Sequence, residues 1–168
     1  MAEKESLFSS QLKYVGIVSF KDFYQFCYDW LTEEVGLEIA EEKYVEKIKG
    51  DGKDLEIKWV GKKEITDYFR FDVKVSFKVY GLQKVEVTEG AAKVQTNRGD
   101  LRIKIEGIII RDYKGKFETT AFNKFLRSIY EKWVIPSRIE EIKAKIVEDS
   151  DDFLAQAKSY LDLEGKKG

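Results

Sequence analysis

The sequence predicts an α+β protein in which a curved antiparallel sheet of six or seven strands packs on a long C-terminal helix, with a first aromatic helix between strands one and two. Three observations support this fold class. Apolar and polar residues alternate with a period of two over Phe69–Tyr80. Glycine, asparagine and aspartate separate the alternating segments, which indicates tight turns between successive strands. Helical stripes of apolar residues flank this central region on both sides.

The N-terminal part is predicted to hold a flexible leader, one strand and one helix. Residues 1–10 are polar and mixed in charge, as in a loose leader, and Gln11–Ser19 is predicted to be the first strand. Ser19 can cap a helix that runs to Val35, and Gly36 is a natural C-terminal stop. The apolar residues of this helix span an arc of roughly 200°, wider than one sheet contact requires. We therefore expect the helix to be covered on two sides.

The strands that follow are predicted from alternation and from turn residues. Tyr44–Lys49 precedes a hairpin turn at Gly50–Asp54, and further turns are predicted at Glu89–Ala91 and Asn97–Asp100. Gly107 is expected to mark a bulge or bend in the last strand. The strand after the first hairpin points three apolar residues to one face: Leu55, Ile57 and Trp59. The longest strand is expected to bury six: Phe69, Phe71, Val73, Val75, Phe77 and Val79.

Two apolar stripes at helical spacing occupy the C-terminal third. The first is predicted to cover the sheet and consists of Phe122, Phe125, Leu126, Ile129, Tyr130 and Trp133. Pro136 lacks a backbone N–H, so it kinks or restarts the helix. The second stripe lies on a helical tail extension, 137–168, and consists of Ile139, Ile142, Ile146, Phe153, Ala157 and Tyr160. In a straight helix it would point more than about 90° away from the first stripe. We expect it to pack on the first helix, within the chain or from a second copy.

This order of elements resembles the START-like helix-grip superfamily, whose members curve a sheet around a final helix and often hold an apolar ligand between them. The resemblance spans Gln11–Trp133 and rests on element order and on the stripe from Phe122 to Trp133, without any sequence motif. No binding residue is therefore carried over, and the tail from Pro136 to Leu163 departs from the pattern. A ligand cavity between sheet and helix would be lined by Trp59, Phe69, Phe71, Val73, Phe122, Phe125, Ile129 and Trp133.

Composition narrows the classes of partner. The chain of 168 residues is expected to form a single domain, and its net charge of −1 does not select duplex nucleic acid or an anionic membrane surface. No signal peptide or membrane span is predicted, so the cytoplasm is the expected location. Cys27 is the only cysteine, and its helical neighbours predict a buried apolar role. Abundant lysine and glutamate with few amides are typical of proteins from thermophiles.

No catalytic residue, metal ligand set or cofactor site is predicted, and we expect the protein not to be an enzyme. The chain has no histidine, so serine and cysteine nucleophiles lack their usual base and zinc lacks its commonest ligand. Phosphate-binding glycine motifs are absent from the sequence. Asp51, Asp54 and Glu56 are explained by a solvated hairpin, and the acidic run 148–152 by a helix restarting at Ser150. Glu34 falls near the apolar arc, where it has either a raised pKa or a basic partner.

One surface raises nucleic-acid binding as a hypothesis. The outward residues of two strands include five cations: Arg70, Lys74, Lys78, Arg102 and Lys104. Asp72 and Glu106 interrupt them, and no aromatic residue interleaves as a stacking platform would. A solvated face is the favoured interpretation.

Two function hypotheses from different classes stay open. The first is a non-catalytic binding module that holds an apolar small molecule between the sheet and the helix of the first stripe; a filled core would explain the same aromatic residues. The second is a structural or interaction protein that self-associates or docks on a larger assembly. Its candidate surface is the tail stripe, namely Ile139, Ile142, Ile146, Phe153 and Tyr160.

Overall fold

The computed structural model describes residues 3–114, 121–129 and 136–166. The strands are β1 Glu3–Ile17, β2 Glu38–Lys49, β3 Gly52–Glu64, β4 Phe69–Glu89 and β5 Ala92–Arg111, and the helices are α1 Phe20–Asp29, α2 Ala121–Ile129 and α3 Pro136–Gly165. One sheet contains the five strands in the order β1-β5-β4-β3-β2, and every neighbouring pair is antiparallel. The predicted α+β class is confirmed, as is the place of the aromatic helix between the first two strands.

The predicted count of six or seven strands is wrong, because β4 and β5 are each longer than expected. β4 continues past Tyr80 through a bulge at Gly81, whose φ of +63° is the left-handed conformation that glycine adopts most easily. β5 passes straight through Asn97–Asp100, where a turn was predicted. Asp100 pairs with Tyr80 of β4 and with Val15 of β1. Ladder hydrogen bonds to two neighbouring strands thus override the local turn preference.

β1 begins at Glu3, within the residues expected to form a flexible leader. Glu3 lies opposite Arg111 and Ile17 opposite Arg98, so β1 pairs with the second part of β5 up to its last residue. Gly107 coincides with a register shift, as predicted, but the extra residue is Leu7 of β1, on the strand opposite. The leader prediction failed because polar residues are compatible with an edge strand that has water on one side.

The inner face of the sheet, defined by the alternate residues from Phe69 to Val79, is buried as the strict period of two predicted. All six predicted side chains of β4 are at most 2% exposed, and their partners on β3 and β5 are at most 3% exposed: Leu55, Ile57, Trp59, Leu101, Ile103 and Ile105. The opposite face, here called the polar face, carries the intervening lysines and arginines. One face is therefore the core and the other is largely charged.

α1 is covered on two sides, as its wide apolar arc predicted. Its helical path continues as a π-helix over Trp30–Val35 and ends at Gly36, whose φ is +84°. On the sheet side, the ring of Phe23 lies 6.5 Å from that of Phe77. On the other side, Phe26 stacks on Tyr160 of α3 at 4.7 Å. The tail therefore packs on the first helix, and it does so within the same chain.

α3 is one continuous helix from Pro136 to Gly165, so the predicted restart at Ser150 is wrong. Ser150 lies in the middle of the helix, is 1% exposed, and its Oγ donates a hydrogen bond to the Ile146 carbonyl oxygen at 2.8 Å. Gly107 of β5 lies directly opposite, since an added Cβ there would approach Ser150 Oγ to 2.5 Å. Two small residues thus let α3 approach the sheet closely.

The expectation that the first C-terminal stripe covers the sheet is also wrong for the residues that can be described. Phe125 of α2 is 59% exposed, and Leu126 and Ile129 are 38% exposed. The side chain of Phe122, together with Tyr130 and Trp133, lies outside the described residues. α3 contacts β1, β5 and α1 instead. A 30-residue helix, about 45 Å long, can extend along the whole sheet, which a nine-residue helix cannot.

Candidate functional site

A groove of about 570 Å³ opens between the start of α1 and the β2–β3 hairpin. The apolar part of its lining comes from three elements of the sheet and from the helix, namely Phe20, Tyr24, Tyr44, Ile48, Leu55 and Leu82. Polar and charged side chains at the hairpin and at the neighbouring strands complete it: Lys21, Glu46, Asp51, Lys53, Lys84 and Asn97. The groove therefore combines an apolar floor with a mixed polar rim.

Register explains why the groove exists. Tyr44 lies opposite Ile57, and Ile48 lies opposite Lys53, so both β2 side chains point to the inner face of the sheet. Further along this face α1 covers the core, but Tyr44 is still 49% exposed and Ile48 81% exposed. The β2–β3 hairpin thus extends past α1, and Tyr44 and Ile48 lie on the inner face where α1 no longer covers it.

Tyr24 forms the fixed wall on the helix side. Its hydroxyl donates to Glu41 Oε1 at 2.7 Å and accepts a hydrogen bond from Trp59 Nε1 at 2.9 Å. Burial, followed by the bond to Glu41, raises the pKa of Tyr24 to about 12. The phenol is therefore neutral at physiological pH, and it serves to tie α1 to β2 and β3.

The start of α1, one turn before Tyr24, is tied to the sheet by Asn97. The backbone N–H of Phe20 donates to Asn97 Oδ1 at 3.2 Å, and Asn97 Nδ2 donates to the carbonyl oxygen of Gln83 at 3.4 Å. This side chain was predicted to belong to a turn. In the structure it joins the helix start to β4 and β5 at the edge of the groove.

Charges at the rim are partly compensated. Lys53 pairs with Glu46 at 3.0 Å, whereas Lys21 and Lys84 form no ion pair within the part of the chain that the structure describes. Next to the groove, Asp54 accepts a hydrogen bond from the Gly81 N–H and pairs with Lys49, and these contacts lower the pKa of its carboxyl. The rim therefore offers charges of both signs to a ligand.

The residues predicted to line a ligand cavity do not come together around this groove. Trp59, Phe69, Phe71 and Val73 are buried in the core under α1 and α3, while Phe125 and Ile129 are exposed on α2. The side chain of Phe122 and the whole of Trp133 lie outside the described part of the chain. Sequence reasoning missed Tyr44 and Ile48, although their alternation with charged neighbours along β2 was a usable signal.

The predicted interaction surface on the tail is packed inside the chain. Ile142, Ile146 and Phe153 are buried, and Ile139 and Tyr160 are half-buried. Phe153 lies against Trp30, with ring centroids 5.9 Å apart. This stripe is core and does not provide an exposed docking face.

The remaining candidates do not form a reactive site. Glu34 is exposed rather than buried in the apolar arc, and Cys27 is fully buried, which raises the pKa of its thiol. Glu56 pairs with Lys43 at 3.1 Å and so is not free to bind a cation with Asp51. No cluster of acidic or cysteine residues suited to a metal ion occurs over residues 3–114, 121–129 and 136–166.

Two of the five cations that raised nucleic-acid binding as a hypothesis form ion pairs with a carboxylate on their own strand. On the polar face, Arg70 binds Asp72, with Nε 2.6 Å from Oδ1, and Arg102 lies 3.4 Å from Asp100. Each guanidinium also lies over a tyrosine ring. Arg70 covers Tyr113 and Arg102 covers Tyr80, with 5.7 and 5.0 Å from Cζ to the ring centroid.

No protein-family model matches the chain, and no curated protein is detectably similar to it in sequence. Among the described helices, none is both long enough and apolar enough to cross a membrane. The function of this protein must therefore be inferred from the geometry of its candidate site.

Proposed function

We propose that this protein is a non-catalytic binding module that holds an apolar small molecule in the groove between α1 and the β2–β3 hairpin. The observation that carries the proposal is the exposure of Tyr44 and Ile48 on the inner face of the sheet. The inner-face side chains of β4 from Phe69 to Val79 are buried, so a bound apolar group would extend this core at its open end.

The dimensions of the groove support a small ligand. A volume of about 570 Å³ falls within the range of roughly 300–1,000 Å³ that is usual for small-molecule sites. The wall formed by Tyr24 is held by two hydrogen bonds, so the groove does not need to form on binding. The charged rim favours a ligand with an apolar body and a polar end.

Retained ligand is the first test. Native mass spectrometry of the purified protein should show a bound small molecule that is lost on denaturation. A clean apoprotein mass, together with failure of the dye experiment that follows, would count against the proposal.

Binding of 1-anilinonaphthalene-8-sulfonate provides a quantitative test. We expect saturable fluorescence enhancement for the wild type and about tenfold weaker binding for Ile48→Glu, because a charge replaces one apolar contact. Val15→Glu is the matched control, since Val15 is also an exposed apolar residue but lies outside the groove. Equal weakening in both variants would show that the dye reports surface hydrophobicity rather than the groove.

A second candidate function, self-association or docking on a partner, is favoured by the exposed apolar side chains of α2. Phe125, Leu126 and Ile129 leave apolar surface in water, which is typical of contact surfaces. Light scattering should then show an oligomer that Leu126→Glu dissociates. A monomeric wild type would remove self-association from consideration.

A further inference from the structure

Four lysines surround a single serine on the polar face of the sheet. Ser76 of β4 lies directly opposite Lys58 of β3 and Lys104 of β5. Lys74 and Lys78 are two residues away along β4, and residues two apart in a strand share a face. The nearest neighbours of Ser76 on this face are therefore all cationic, and we call Lys58, Lys74, Lys78 and Lys104 the lysine cluster.

The carboxylates around the lysine cluster only partly balance its charge. Around it, the other cations take the available acids: Lys43 pairs with Glu56 at 3.1 Å, Arg70 with Asp72 and Arg102 with Asp100. In the part of the chain that the structure describes, no member of the cluster forms an ion pair. Lys74 lies opposite Glu106 of β5, but Lys78 lies opposite Arg102, and like charges placed opposite each other in a sheet are destabilising.

The cluster also has a shaped surface. Its four side chains and Ser76 line a depression of about 440 Å³. The carboxylates of Glu42 and Glu106 line it too, which leaves two of the four ammonium charges in excess. All four lysines are exposed, whereas Ser76 is half-buried, so the hydroxyl lies at the base and the ammonium groups can converge above it.

We propose that the lysine cluster binds the phosphate groups of a small phosphorylated ligand. Lysine acts as a mobile point charge toward phosphate, and the Ser76 hydroxyl can donate to a phosphate oxygen. From Lys74 to Lys78 the cluster extends only about 13 Å along the strand. That length matches two or three linked phosphates and is short for a track of duplex phosphates.

The aromatic residues of the polar face argue against a single-stranded nucleic acid as the ligand. Such ligands use exposed rings as stacking platforms. A guanidinium already lies over each ring: Arg102 over Tyr80, which is 41% exposed, and Arg70 over Tyr113. Because the cluster lies on the opposite side of the sheet from the apolar groove, this inference does not depend on the function proposed for that groove.

Calorimetric titration with inorganic tripolyphosphate at low ionic strength tests the proposal. We expect saturable one-to-one binding by the wild type, at least about tenfold weaker binding by Lys58→Gln with Lys104→Gln, and a smaller loss for Ser76→Ala. The control, Lys93→Gln with Lys158→Gln, removes two exposed lysines far from the cluster and should bind as the wild type does.

Thermal melts supply a second readout that separates binding from folding. Without the anion, the Lys58→Gln, Lys104→Gln variant should melt at the same temperature as the wild type or higher, because repulsion is relieved. With tripolyphosphate, only the wild type and the control should gain stability. Absence of saturable wild-type binding, equal loss in the control, or stronger binding of a DNA duplex than of tripolyphosphate would each overturn the proposal.

Discussion

At the scale of single residues, Gly107 decides how closely the C-terminal helix approaches the sheet. An added Cβ would lie 2.5 Å from Ser150 Oγ and 3.3 Å from Ile146 Cγ2, and neither atom can retreat because both side chains are buried. Replacement by a larger residue would force the helix outward. The same glycine was visible in the sequence only as an interruption of a strand.

The variant Gly107→Ala should therefore lower the free energy of unfolding by about 1–3 kcal/mol, the usual cost of overpacking. Urea unfolding followed by circular dichroism measures this change. Adding Ser150→Ala removes the clashing hydroxyl and should recover part of the loss, since the Ser150 Cβ is at an ordinary 3.5 Å and the tight contact that remains is to Ile146 Cγ2 at 3.3 Å. If the single variant is as stable as the wild type, the close approach of α3 to β5 is wrong.

Tyr24 predicts a specific dependence of stability on pH. The pKa of Tyr24 in the folded protein, about 12, is raised above the ordinary 10.0. The contribution of its hydroxyl to the free energy of unfolding is therefore fully present below pH 10 and is lost as the pH rises through about 12. Tyr24→Phe should lower the free energy of unfolding at neutral pH. Between these pH values its free energy of unfolding should fall less steeply than that of the wild type. Tyr14 and Tyr160, whose pKa values burial also raises, continue to titrate in the variant.

Urea melts at successive pH values, together with phenolate absorbance, measure the effect of Tyr24. An alkaline decline of equal steepness in both proteins would mean that the hydroxyl of Tyr24 is not held by Glu41 and Trp59 as described.

At the scale of elements, α3 replaces the first C-terminal stripe as the helix that covers the sheet. Its apolar stripe contacts β1 and β5 on one side and the aromatic residues of α1 on the other. The π-helical end of α1 takes part, because Trp30 lies at its start and meets Phe153. α1 is thus held between the sheet and α3.

Replacing Ile142 and Ile146 by glutamate should destabilise the fold without changing the mass of the particle. Both side chains are buried within the chain, so two unpaired charges would be forced into the core at a cost of more than about 3 kcal/mol. Thermal melts and light scattering measure the two quantities. Val147→Glu, an exposed position on the same helix, is the control and should change neither. Dissociation of an oligomer by the double variant would contradict the intrachain packing.

At the scale of the whole molecule, the core should be sufficient for folding without metal or disulfide. The buried set extends from Val18 in the N-terminal segment to Leu161 in α3 and includes side chains from the strands β3, β4 and β5. One cysteine permits no intrachain disulfide. Melts recorded with and without chelator and reductant should therefore coincide. A fall of many degrees with chelator would reveal a metal site that the described residues do not show.

The sequence was most informative where the structural signal is local. Alternation over Phe69–Val79 identified the buried face of β4, and the aromatic arc of α1 with its stop at Gly36 was readable within a few turns of helix. Local signals also misled, because Asn97–Asp100 has turn residues yet lies inside β5. The groove was not read along the chain. Of the lysine cluster, Lys74, Lys78 and Lys104 were placed on one predicted face, but Lys58 was missed because Lys58, Ser76 and Lys104 become neighbours only through the register of three strands.

The sequence by itself determined the α+β class, the place of α1 between the first two strands and the inner residues of β4, because side-chain periodicity is set by backbone geometry within one element. Only the tertiary structure decided that the described residues form five strands, that α3 rather than the preceding stripe covers the sheet, and that Tyr44 and Ile48 stay uncovered. These features depend on contacts between residues distant in the chain, where packing of complementary surfaces outweighs local preference.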